Sequence, residues 1–119
     1  MNYTRFNVGD KEFKLRLDTK NTVALEKIVG TNPVNEIMKC AEGYLPSWDF
    51  VTATLHASLQ KYHHKYTLTK VYELVDEAID EGKSLADFMP VLTEVFQVSG
   101  LIPKDSNEDE EEKEVDDPK

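Results

Sequence analysis

Two short alternating runs, Thr4-Arg5-Phe6-Asn7-Val8 and Lys11-Glu12-Phe13-Lys14-Leu15, stand on either side of Gly9-Asp10. Alternation with a period of two is the mark of a strand with one buried face, and a two-residue loop joins such strands as a hairpin. Glycine in the first loop position suits a type II′ turn, because it accepts positive φ. That loop pairs Val8 with Lys11, Phe6 with Phe13 and Thr4 with Leu15. All the apolar side chains then share one face, and Leu17 continues it. A slip of one residue would turn every one of them to water. A lone hairpin is not stable in water, so the rest of the chain must cover this face.

The rest reads as helix. Asp18 or Thr19 starts a first helix, with Val23, Leu25, Ile28 and Val29 expected inward, and Gly30 ends it in the left-handed conformation. Asn32-Pro33 supplies a cap followed by proline at the first helical position. The second helix then places Val34, Ile37, Met38 and Ala41 inward. Glu42-Gly43-Tyr44-Leu45 is a connector, and the third helix is expected from Pro46 to His63. Its stripe is Val51, Leu55, Ala57, Leu59 and Tyr62, flanked by Phe50. Thr67 caps a fourth helix with the stripe Val71, Leu74, Val75, Ala78 and Ile79. Ser84 caps a fifth, with Asp87 as the capping-box acid. Leu85, Phe88, Met89, Leu92, Val95 and Phe96 form its inner face, and Pro90 is expected to kink it. The expected fold is mainly α (α+β): an N-terminal hairpin followed by about five helices, three to five packing as an antiparallel group.

The chain has 119 residues, enough for one core, and carries a formal net charge of −9. Residues 104–119 hold nine acidic and three basic side chains, so six of the nine net negative charges lie there. Val115 is the sole aliphatic residue of that stretch apart from its proline, too little apolar surface to offset the entropy of ordering. The expectation is a folded domain over 1–103 and a disordered acidic tail over 104–119. The acidic balance argues against nucleic acid and anionic membrane as partners. No apolar run approaches the roughly 20 residues of a membrane helix, and Met1-Asn2-Tyr3-Thr4-Arg5-Phe6 lacks a signal-peptide core. Cys40 stands alone, so no internal disulfide forms and a reducing compartment is expected.

No constellation for catalysis or cofactor binding emerges. His56, His63 and His64 supply too few ligands, at the wrong spacing, for zinc. Counting back from Gly82 for a calcium loop puts Ile79 where an oxygen ligand is required. The glycines form no phosphate cradle, and no serine sits in a nucleophile elbow. The sequence therefore points away from an enzyme and names no cofactor or metal. What it offers is a cluster near the start of the third helix. Tyr44, Leu45 and Trp48, with Phe50 beside them, bring a large apolar area into a mobile connector. Core packing is the bland account; a protein-binding anchor made of Tyr44, Leu45 and Trp48 is the sharper one, since Trp and Tyr dominate interface hot spots.

In order and content these elements resemble the tail assembly chaperones of long-tailed bacteriophages and prophages of Gram-positive bacteria. The resemblance runs from about Phe6 to Pro103. It rests on the hairpin Phe6 to Leu17, on Val23-Ala24-Leu25-Glu26-Lys27-Ile28-Val29-Gly30-Thr31-Asn32-Pro33, and on Leu55-His56-Ala57-Ser58-Leu59-Gln60-Lys61-Tyr62. It continues through Val71 to Ser84 and ends in an amphipathic helix and Ser99-Gly100-Leu101. These are capping and packing patterns, without a catalytic signature. The resemblance implies a non-catalytic protein of the bacterial host cytoplasm, absent from the mature virion, that keeps the aggregation-prone tape-measure protein soluble. The tail tube protein and self-association are further expected contacts. In many members a programmed ribosomal frameshift appends a second domain, and this chain would be the unshifted form. Two other readings are an acidic DNA mimic or host-factor binder, and a structural tail subunit.

Overall fold

The computed structural model describes residues 2–104. The hairpin forms as its alternation dictates. Strands β1 (Thr4–Val8) and β2 (Lys11–Leu15) are antiparallel, in the register Thr4↔Leu15, Phe6↔Phe13, Val8↔Lys11. Gly9 takes φ +61°, and Asp10 stays out of the positive-φ region, the pattern of a II′ turn. Thr4, Phe6, Val8, Phe13, Leu15 and Leu17 are all buried. The loop tip lies against a helix C-terminus: a Cβ built on Gly9 would come within 3.1 Å of Oε2 of both Glu77 and Glu81.

Five helices follow: α1 (Thr19–Val29), α2 (Pro33–Cys40), α3 (Trp48–Leu59), α4 (Leu68–Asp80) and α5 (Leu85–Val98). The fold is thus mainly helical α+β. Their starts obey short-range chemistry. Asp18, Asn32, Ser47 and Thr67 each accept a backbone N–H of the first turn through the side chain. At α5 the Asp87 carboxylate accepts the Ser84 N–H at 2.7 Å. The third helix begins at Trp48, two residues later than Pro46, because the Ser47 hydroxyl takes the Phe50 N–H and so holds the cap position. It ends at Leu59, short of His63.

Helix α3 is the hub. It packs on α1, α4, α5 and β2, and nine of its twelve residues are buried, so it has no solvent face and no simple stripe. Each fully buried Val or Leu there contributes on the order of 1.5–3 kcal/mol. Its buried polar residues are mostly satisfied locally: Thr52 Oγ1 donates to Trp48 O at 2.8 Å and Ser58 Oγ to Thr54 O at 2.6 Å. The hydroxyls of Thr4 and Thr54 are buried without a partner among the described residues.

The free side of β2 is closed by the end of this helix. Arg16 N–H donates to Ser58 O at 3.0 Å, and Lys14 N–H donates to His63 Nε2 at 3.0 Å. The first bond also satisfies one of the carbonyls that every helix C-terminus leaves open. At the same end of β2, Arg16 Nη1 donates to Val98 O, and Leu17 N–H donates to Ser99 Oγ. The chain then turns back, Leu101 N–H donating to Phe96 O at 2.9 Å. Beyond Lys104 the acidic stretch lies outside the described residues.

Several side chains assigned inward by periodicity are exposed: Val23, Ile28, Met38, Ala41, Tyr62 and Ile79. In α1 the contact with α3 is a narrow stripe through Thr22 and Leu25. Val23 and Ile28 fall on its flanks, and Ile28 is 64% exposed. Short helices bury one line of residues, and apolar residues beside that line are left in water. Among the described residues no helix is long and apolar enough to cross a membrane.

Candidate functional site

The connector between α2 and α3 carries the sequence-predicted anchors and divides them between two places. Tyr44 is tied to α2. Lys39 Nζ lies 5.3 Å from its ring centroid, and a hydrogen bond to Glu36 pushes its hydroxyl above the usual phenol range. Leu45, half exposed, forms one wall of a depression of about 650 Å³ between α2 and α5. Its other walls include Ile37, Met38, Met89, Pro90 and Ile102, and among the described residues no charged side chain lines it. The methionines matter here: unbranched thioether side chains adapt to apolar guests of varied shape. Pro90 adds a polar feature. Having no N–H, it leaves the Ala86 carbonyl without its i+4 donor, and both residues line the depression.

Cys40 lies in the same wall. Its Sγ donates to Glu36 O at 3.3 Å. Burial, reinforced by the nearby Glu36 carboxylate, pushes the thiol pKa up. A thiol held protonated is a weak nucleophile, so Cys40 serves as apolar lining.

Trp48 belongs to a different cleft. Its ring meets the buried Phe88 edge-on, centroids 5.6 Å apart at 80°, yet 38% of the residue stays exposed. It opens onto a groove of about 350 Å³ between α3 and α4, with Asp49, Thr52, Tyr72, Val75, Asp76 and Ile79. Trp48 is therefore both a packing residue and a surface one. Phe50, its expected neighbour, is buried in the core. The structure thus brings Tyr44 and Leu45 together and places Trp48 apart from them.

Met38, Tyr72 and Ile79 were not identifiable as surface residues from sequence, and nothing marked the buried Met89 or the half-buried Ile102 as lining of a depression. Met38, Met89 and Ile79 fit a buried stripe, and Tyr72 sits alone between charged residues. The signal that was present is Pro90, a helix breaker retained inside α5.

The histidines do not converge. His56 is half-buried in α3, and burial lowers its pKa. The pKa of His63 is lowered by burial and then by the Lys14 ammonium, and its Nε2 is occupied by the Lys14 N–H. Among the described residues no three His, Cys, Asp or Glu side chains gather as metal ligands. On α4, Glu77 pairs with Lys11 at 2.9 Å, while Glu73, Asp76 and Asp80 face solvent. Comparison with protein-family models, with curated proteins and with solved structures finds no match to this chain.

Proposed function

We propose that this protein is a tail assembly chaperone of a long-tailed phage or prophage: a non-catalytic helix binder that covers apolar stripes of the tape-measure protein in the host cytoplasm. One observation carries the reading. The depression between α2 and α5 is large and open, no charged side chain lines it among the described residues, and Leu45 and Met38 stand half exposed on its rim. Apolar surface left in water on a small monomer is a common mark of a partner site. A groove of this kind takes the apolar face of an amphipathic helix through anchors spaced i, i+3/i+4, i+7. The methionine lining supports tolerance of many related stripes along one long chain. Many copies bound to that chain gain by avidity, so each contact can stay weak and yield to tail tube subunits.

The test is co-expression with the long gene of a phage tail operon that encodes the tape measure. The soluble fraction of the tape measure should rise with the wild-type chain and fall back with Leu45→Ser. Aggregation unchanged by the wild-type chain would remove the proposal.

A further inference from the structure

We propose that the groove between α3 and α4 is a second, separate interaction surface whose occupant is a cationic amphipathic helix of another protein. It shares no lining residue with the depression between α2 and α5. Its floor is Trp48 from α3 with Tyr72, Val75 and Ile79 from α4. The three α4 residues are spaced i, i+3, i+7, about 10 Å along the helix axis. That matches the apolar face of a guest helix lying alongside, whose side chains repeat at the same spacing.

Charge names the guest. Two acids, Asp49 and Asp76, line the groove and no Lys or Arg does. Glu73 and Asp80 are exposed on the same helix. An apolar strip with an acidic rim favours a guest with Lys or Arg flanking its apolar face, and disfavours an acidic one. Such a guest differs from that of the uncharged depression, where nothing selects the sign of the flanks.

The chain has a single tryptophan, Trp48, so its fluorescence reports on this groove alone. Full-length protein is titrated with two synthetic helical peptides sharing one leucine stripe, one flanked by lysines and one by glutamates. The lysine peptide should shift Trp48 emission saturably, and the glutamate peptide should bind at least about tenfold more weakly. Asp49→Asn/Asp76→Asn, both exposed positions, should lower affinity for the lysine peptide roughly three- to tenfold and flatten its salt dependence. Circular dichroism of the variant should match wild type. Equal affinity for both peptides, an unaffected double variant, or no saturable shift would each overturn the proposal. So would emission that changes on dilution of the protein alone, which would make a second copy the occupant. Leu45→Ser should leave peptide binding intact, so a failure here is separate from a failure of the tape-measure reading.

Discussion

His63 Nε2 accepts the backbone N–H of Lys14 at 3.0 Å, so a side chain just after α3 satisfies an outward-facing amide of β2. The bond requires a neutral imidazole acceptor. Burial and then the Lys14 ammonium hold the folded pKa below the ordinary 6.5. Because the folded value is depressed, the unfolded chain takes up the proton first as pH falls. The stabilisation is complete above the ordinary value and is lost as pH drops through the folded one. The urea midpoint should therefore decline from about pH 7 towards about pH 5, the range in which histidine titrates. His63→Gln should flatten part of that slope, leaving the part of like sign that belongs to His56. A slope unaltered in the variant would mean that His63 is not coupled to folding.

Leu25 and Ile28 provide a contrast within one helix. Leu25 is fully buried and Ile28 is 64% exposed. Leu25→Ala should cost about 2–5 kcal/mol, whereas Ile28→Ala should fall within about 0.5 kcal/mol of wild type. Chemical denaturation of the two variants checks both, and similar losses would contradict the placement of α1.

Thr54 is fully buried and its hydroxyl has no partner among the described residues. Desolvating a hydroxyl without a hydrogen bond costs roughly 1–3 kcal/mol. Thr54→Val keeps the shape and removes the polar atom, so the variant should be more stable by about 1 kcal/mol. A thermal midpoint lower than wild type would show that the hydroxyl does find a partner.

Gly9 combines φ +61° with carboxylate oxygens of Glu77 and Glu81 that lie 3.1 Å from where a Cβ would sit. Gly9→Ala should destabilise by about 1–2 kcal/mol from backbone strain and crowding. Gly30 also has positive φ, but nothing lies within 4 Å of its Cβ position. Gly30→Ala should therefore lose less than Gly9→Ala when the two denaturation curves are compared.

Leu45→Ser and Met38→Ser remove apolar area at half-exposed positions. Each should leave the denaturation midpoint within about 0.5 kcal/mol of wild type while lowering capture of the tape measure in a pull-down. Retained capture by the double variant would move the contact away from the α2–α5 depression.

The hairpin was legible to the residue because period-two alternation and a glycine-led loop leave a single register. Helix starts were legible where Asp18, Asn32, Thr67 and Ser84 announce them. Pro46 misled because Ser47, one position on, is the better cap. The faces of α1 and α3 were not legible for opposite reasons. Helix α1 carries apolar residues over a wide arc, Leu25 and Val29 in its middle and Val23 and Ile28 to either side, and only the position of α3 selects the buried part. Helix α3 is surrounded, so its Thr and Ser residues are as buried as its leucines. As for the binding surface, Tyr44, Leu45 and Trp48 were read as one cluster because they are neighbours along the chain. The connector bends between Leu45 and Trp48 and parts them, which no local pattern records.

The seal along β2 has a bearing on how this molecule meets others. Because Lys14 and Arg16 spend their amides on His63 and Ser58, a foreign strand arriving from that direction finds two of the rungs already taken. Extending the ribbon along the C-terminal half of β2 would first have to displace those two bonds. The apolar face of the hairpin meanwhile stays closed over the helices as a lid.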